Sequence, residues 1–347
     1  MPQYLDILFI FFTAFIIAFI SIPKVISLAE KLRLFAPKVK RASHKGKIPS
    51  LGGVAIFISI LIALLCWTDL TSTNYIILSL IIIFFVGVID DLVSLSPTKK
   101  IFGQIISIGI IIFFEELYID NFHGVLGIHE IPCYAGVLFT LFVVVVITNA
   151  YNLIDGVDAL AGSLGVVSSI AFGISAILMN QTEIILVSFT LAGSLLGFIH
   201  YNKFPAKIFM GDTGSLVVGM VLSILAINLI KHGIVIQDVY YPKKGPFLSI
   251  VFLSIPLFDS LRVFISRVVR GKNPLYAARD HIHHALLDLK FGHKFTTLTL
   301  LFLSILIIVI SYFIINMNIN IAISLIACIM FIFLLTPFYI LRKNKND

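Results

Sequence analysis

Charge is what this chain has least of. Only 12% of its 347 residues are Asp, Glu, Lys or Arg, where soluble domains carry about a quarter, and the mean hydropathy is +1.07. That excludes a water-soluble globule. Alternation of apolar with polar residues is missing as well: runs such as Leu78 to Val88 and Leu300 to Tyr312 are apolar throughout, which excludes a transmembrane β-barrel. The three cysteines, Cys66, Cys133 and Cys328, form no metal-ligand spacing. Cys66 and Cys133 both fall near one membrane face, which leaves a disulfide between them open. No internal repeat, low-complexity tract or soluble domain is visible, so residues 1–347 read as a single integral membrane domain.

What is present is a series of apolar blocks, each about 20 residues long and sufficient to cross a hydrocarbon core as a helix. The fold class this predicts is an all-α polytopic membrane protein with about 11 transmembrane helices. They fall near 5–23, 51–68, 74–89, 101–117, 134–148, 164–180, 184–200, 215–230, 247–265, 296–315 and 320–340. No basic residue precedes the first span and no small-residue cleavage site follows it, so a retained helix is expected there, not a signal peptide. Of the 25 Lys and Arg residues, 22 lie in alternate loops and the C-terminal tail; only Lys231, Lys243 and Lys244 lie opposite. The positive-inside bias then predicts an outside N-terminus, a cytoplasmic C-terminus and a cytoplasmic-loop active site. The net charge of +7 becomes cytoplasmic-face charge, suited to anionic lipid and an anionic substrate. Topogenesis accounts for it, and no nucleic-acid partner is expected. Loop 118–133, on the outer side, has two glycines, Pro132 and β-formers, and predicts a small hairpin.

Polar residues interrupt these blocks at four places on the predicted cytoplasmic side, where uncompensated polar groups at a membrane segment are costly and tend to be functional. Asp90-Asp91 ends the third span; two adjacent carboxylates repel unless a cation offsets them, which suggests a cation or phosphate site. Asn149-Ala-Tyr-Asn-Leu-Ile-Asp-Gly-Val-Asp158 follows the fifth span. Helical spacing would project Asn152, Asp155 and Asp158 from neighbouring positions, and Gly156 makes a broken helix equally acceptable. Amides with carboxylates suit sugar hydroxyls, a uracil edge or a hydrated metal. Phe209-Met-Gly-Asp-Thr-Gly-Ser215 opens the eighth span. Its backbone N–H groups could meet phosphate oxygens, and Asp212 could hold Mg²⁺; alternatively Asp212 or Thr213 is an ordinary N-cap. His281, His283 and His284 stand in the most basic late loop beside Arg279 and suit a diphosphate better than zinc. In the ninth span, Asp259 and Arg262 read as a structural ion pair. His44 and Lys45 lie in a basic first loop that leads into Gly52-Gly53.

Taken together and in order, these segments resemble the polyprenyl-phosphate N-acetylhexosamine-1-phosphate transferase family, glycosyltransferase family 4. The resemblance rests on His44 through Gly53, Gly87 with Asp90-Asp91 through Gln104, Asn149 through Gly162, Phe209 through Ser215, Pro256 through Arg262, and Gly271-Lys-Asn-Pro through His284. The His-x-His-His ending, the Gly-Lys-x-Pro lead-in and the eleventh span look most like the bacterial undecaprenyl-phosphate GlcNAc-1-phosphate branch. Phe35-Ala36 before Pro37, and Ala278 before Arg279, depart from the family pattern.

The resemblance implies Mg²⁺-dependent transfer of an N-acetylhexosamine-1-phosphate, GlcNAc-1-phosphate in the first instance, from a UDP-N-acetylhexosamine to undecaprenyl phosphate. Undecaprenyl-diphospho-sugar and UMP would be the products, made in the bacterial cytoplasmic (inner) membrane at the start of a cell-envelope glycan. Asp212 is expected to bind Mg²⁺, with Mn²⁺ as a substitute, and Asp90 or Asp91 to orient the lipid phosphate or take its proton. Arg279, His281, His283 and His284 are assigned to the diphosphate, Asn152, Asp155 and Asp158 to the nucleotide-sugar, and His44 and Lys45 to phosphate. Whether transfer takes one step or passes through a phospho-aspartate stays open, as does a homodimer. A phospho-N-acetylmuramoyl-pentapeptide transferase is the alternative within the family. A secondary transporter is the alternative from another class, although transporters place such acids near the midplane of repeated halves.

Overall fold

The computed structural model describes residues 4–32, 34, 48–236, 239–241, 244–271 and 280–346. Helices account for nearly all of it: α1 (Tyr4–Lys31), α2 (Gly52–Trp67), α3 (Leu70–Val93), α4 (Pro97–Glu115), α5 (Cys133–Ile154), α6 (Leu160–Leu178) and α7 (Thr182–Asn202). They continue with α8 (Gly211–His232), α9 (Lys244–Phe252), α10 (Ser254–Val269), α11 (Ile282–Asp288), α12 (Gly292–Ile314) and α13 (Ile319–Asn346). All eleven predicted spans fall on helices, but the helices do not all cross as straight rods. Nine of those described are long and apolar enough to span; α2 has only 16 residues, and α9 meets α10 at a bend of 80°.

That bend has a local cause. Pro256 has no N–H, so the carbonyl of Phe252 loses its helical donor four residues on. Ser168 Oγ on α6 supplies the bond instead, at 2.7 Å. In a membrane interior a backbone acceptor must find a protein partner because no water is at hand.

The strands are minor. Ile234–Ile236 (β1) pairs antiparallel with Val239–Tyr241 (β2) in a hairpin that the sequence did not suggest. The hairpin expected over 118–133 is instead a single bridge, Asn121 to Glu130, around a 3₁₀ turn at Val125–Gly127. Cys66 and Cys133 are both free, so the disulfide left open by the sequence is not formed.

The centre of the bundle is α8, buried over 94% of its apolar window. It is apolar all round and rich in small residues, which let backbones approach closely. A Cβ on Gly53 would lie 2.1 Å from Gly214 N, and one on Gly87 2.4 Å from Thr213 Cα. Glycine at those two positions is therefore what seats α2 and α3 on the start of α8. Elsewhere in the bundle α1 runs along α7, where Gly193 and Gly197 would clash with the carbonyls of Phe11 and Phe15 if they carried a Cβ. The outward faces of α1, α12 and α13 carry Phe9, Phe12, Phe302, Phe313 and Ile332 exposed, as lipid-facing helices should.

Candidate active site

Helices α3 and α5 end where α4 and α8 begin, and this one end of the bundle gathers the polar insertions. Met210, which precedes α8, supplies no side-chain cap. Asp91, from α3, does so across the helix boundary. Its Oδ1 accepts from Asp212 N at 2.8 Å, and its Oδ2 accepts from Thr213 N at 3.0 Å and Thr213 Oγ1 at 2.5 Å. The first orphan N–H groups of α8 and the positive end of its dipole are thereby matched to a carboxylate. Gly211, at φ +73°, makes room for it, since a Cβ there would meet Ser50 O at 2.1 Å and Asp91 Oδ2 at 2.8 Å. Two expectations change as a result. The amides at the start of α8 are engaged by Asp91 and do not form an open phosphate cradle, and the cap comes from Asp91, not from Asp212 or Thr213.

Asp90, one residue earlier, points elsewhere. Its Oδ1 accepts from Leu95 N at 2.7 Å, and its Oδ2 pairs with the ammonium of Lys100 at the start of α4. Lys100 Nζ also lies 3.5 Å from Asp212 Oδ1, and Asn152 Nδ2 from α5 donates both to that same oxygen and to Ser215 Oγ, the latter at 2.8 Å. Four helices therefore converge on Asp212. Exposure separates the two acids: 33% of the Asp212 side chain faces outward, against 2% for Asp90. Lys100 carries no role in the sequence reading; its place one turn before Gln104, at the start of a span and close after Asp90-Asp91, was the available signal. Asn149 lies behind the cluster, donating to Gln104 Oε1 at 3.3 Å.

The segment after α5 closes the floor. Asp155 is partly open to the cleft, and burial, then the carboxylates of Asp212, Asp91 and Asp158, push its carboxyl up to about 7. Asp158 lies deeper. Its Oδ2 accepts from Ala206 N at 3.1 Å, its Oδ1 lies 3.1 Å from His293 Nδ1, and its carbonyl accepts from Thr297 Oγ1 at 2.8 Å. The carboxylate assigned to the nucleotide-sugar is thus a tie between this segment, the α7–α8 connection and α12.

The histidine cluster joins the cleft through Gly156, where a Cβ would come 2.4 Å from His283 Nε2. Burial and the adjacent imidazole of His284 bring His283 down to about 3, so its ring is neutral. Its Nδ1 is buried without a hydrogen-bond partner. Packed in this way, His283 shapes the Asp155–Gly156 turn, and any contact it makes with a diphosphate would be that of a neutral imidazole N–H, not of a cation. His281 Nδ1 lies 2.8 Å from Asp259 Oδ2, which fixes the ring, and the His281 and His283 rings stack at 5.8 Å. Asp259 Oδ1 also accepts from Arg262 Nη2 at 2.7 Å and from Ile282 N at 3.0 Å. The predicted Asp259–Arg262 pair is therefore present, and it also anchors the start of α11. His284 is half-buried beside His283, ring centroids 4.2 Å apart. His44, Lys45 and Arg279 lie outside the described residues. The first loop does reach the cleft: Phe209 N donates to Pro49 O at 2.8 Å and Gly53 N to Met210 O at 2.8 Å.

Fold and site together define a polytopic membrane protein with a carboxylate, ammonium and imidazole cleft at one end of its bundle. Residues 73–230 match the family model described as glycosyl transferase family 4. Over 301 residues the chain is 32% identical to a probable undecaprenyl-phosphate N-acetylglucosaminyl 1-phosphate transferase of Bacillus subtilis, covering 83% of this chain and 80% of that protein. It is 29% identical over 316 residues to a decaprenyl-phosphate N-acetylglucosaminephosphotransferase of Mycobacterium leprae, covering 83% and 78%. It is also 30% identical over 299 residues to a phospho-N-acetylmuramoyl-pentapeptide-transferase of Borrelia turicatae, covering 74% and 79%. The chain belongs to glycosyl transferase family 4, and it is a phosphosugar transferase.

Proposed function

We propose that this enzyme transfers N-acetylglucosamine-1-phosphate from UDP-GlcNAc to undecaprenyl phosphate in the bacterial cytoplasmic membrane, with the cleft facing the cytosol. The observation that carries the reading is the convergence of Asp90, Lys100, Asn152 and Asp212 from four helices beside the Asp155–Gly156 turn. A site at a membrane boundary suits one substrate that cannot leave lipid and another that cannot enter it.

In the reaction, an oxygen of the lipid phosphate attacks the sugar-bearing β-phosphorus, and the bond to the α-phosphate oxygen breaks to release UMP. A phosphate monoester is mostly dianionic at pH 7, its second pKa being about 6, so little base strength is required. Bringing two polyanions together is the harder task. Lys100 is placed to neutralise the incoming phosphate, and Asp90 to hold its ammonium in register. Asn152 orients the Asp212 carboxylate, while Asp91 keeps the start of α8 in place. Asp155 and the turn held by Asp158 and His283 are assigned to the nucleotide-sugar, and His281, His284 and Arg279 to the diphosphate.

The donor set suits magnesium. No three His, Cys, Asp or Glu side chains among the described residues are placed to hold an ion by themselves. Magnesium usually takes only one or two protein carboxylates and fills its shell with water and substrate phosphate. Asp212, with both its Lys100 and Asn152 contacts on Oδ1, is the residue that would hold it. When bound, Mg²⁺ (or Mn²⁺) would supply charge neutralisation on the diphosphate.

The test is mass analysis of lipid products after incubating the purified enzyme with undecaprenyl phosphate and a panel of UDP-sugars. A GlcNAc-diphospholipid supports the proposal. The muramoyl-pentapeptide relatives favour a second reading, and preferential product from UDP-MurNAc-pentapeptide would replace the first with it.

A further inference from the structure

One cavity in the described structure lies away from this cleft. It has a volume of about 690 Å³ and opens at the other end of the bundle, between loop 123–129, the start of α9 and the α12–α13 turn. Ile230, whose carbonyl bonds the lining residue His123, stands eighteen positions along α8 from Asp212, about 27 Å at the helical rise per residue. The polar lining of the cavity includes Lys244, His123, His129, Asn316 and Asn318, above an apolar wall that contains Phe247.

Among the described residues, no Asp or Glu lines this cavity and Lys244 has no ion-pair partner, while Asp120 acts on His123 from outside the lining. Cations are scarce at this end, with only three of the chain's 25. Lys231 is committed to Glu116 O and the Tyr118 ring. A lysine retained against the topological bias, beside imidazoles and amides, makes a cavity complementary to an anion. Its walls are also fixed in advance. Asn320 accepts from Leu126 N at 2.7 Å and donates to Gly124 O at 2.9 Å, while His123 Nε2 donates to Ile230 O at 2.9 Å. A polar mouth with an apolar wall at a membrane boundary matches an amphiphile.

We propose that this cavity binds a phosphate-bearing headgroup, with Lys244 as its charged contact. Two sources share that chemistry, a phospholipid and free phosphate. The full chain in detergent would be titrated with phosphatidylglycerol, with diacylglycerol as the phosphate-free control, and bound lipid counted by native mass spectrometry. Lys244→Gln is expected to weaken one phosphatidylglycerol-binding event about tenfold, as the loss of a charge-assisted contact does, and Lys244→Arg to restore it. Inorganic phosphate that displaces this lipid would identify free phosphate as a ligand in its own right; retention against it would identify the lipid. Equal binding of phosphatidylglycerol by wild type and Lys244→Gln, or equal binding of diacylglycerol and phosphatidylglycerol, would overturn the proposal. Transferase activity should be unchanged in both variants, since Lys244 is remote from the cleft, and the binding readout does not depend on the sugar donor.

Discussion

Asp91 and Asp212 sit at the same helix start and do different work. Asp91 spends both oxygens on the N–H groups of Asp212 and Thr213, whereas Asp212 faces the cleft. Asp212→Asn is expected to lower Mg²⁺-dependent exchange of labelled UMP into the UDP-sugar by about 100-fold or more, and near-normal exchange would remove it from the metal role. Lys100→Met leaves Asp90 buried without its cation, which costs about 3 kcal/mol or more. Unfolding in detergent should show that loss, and an unchanged midpoint would refute the pairing. Asp155 gives a pH signature. Folding raises its carboxyl from 3.8 to about 7, so the fold is favoured while it is protonated; that advantage is complete below about pH 4 and lost as pH rises through about 7. Asp155→Asn should therefore melt above wild type at pH 8 and level with it at pH 4, in metal-free buffer. Equal melting at both values would mean that the carboxyl is not lifted.

The helices act by close approach. Gly87 meets Thr213 and Gly53 meets Gly214 with no space for a methyl group, so the register of α3 on α8 sets the distance between Asp91 and the α8 amides. Gly87→Leu should push α3 outward and lower activity about tenfold or more, by analogy with other small misplacements near a site. Retained activity would show that the contact yields. Around the bend, Asp259 binds Arg262, His281 and the N–H of Ile282 at once. Asp259→Asn keeps the size but removes the charge, and is expected to raise KM for the UDP-sugar more than it lowers kcat. A pure loss of folded protein would argue for scaffold alone.

At the scale of the whole molecule, the described parts of the four polar insertions share one end of the bundle, and most of the described Lys and Arg lie with them. If that end is cytoplasmic, a membrane-impermeant maleimide should label Cys133 in intact cells, and a cysteine at Thr98 only after permeabilisation. The reverse pattern would invert the topology. Much of this was legible in sequence because long apolar runs have few ways to exist in lipid other than as helices. The positions of α1 to α8 followed from that, and Asp90, Asn152, Asp155 and Asp212 stood out because acids and amides at span ends are rare. The 80° bend was less visible, since Pro256 marks a break but not its angle. Asp91 as a cap for another helix, and Lys100 as the cation between two acids, depend on contacts between residues 121 and 112 positions apart.

The sequence by itself determined a helical bundle, the side on which its cations lie and the residue types available for phosphate chemistry. It could do so because hydropathy and charge bias act through local composition. Only the tertiary structure decided which carboxylate faces the cleft and which is consumed in capping. Those outcomes depend on burial and on neighbours brought from distant helices, as with Asp91 and Thr213 or Asn152 and Asp212, and no single stretch of the chain contains both partners.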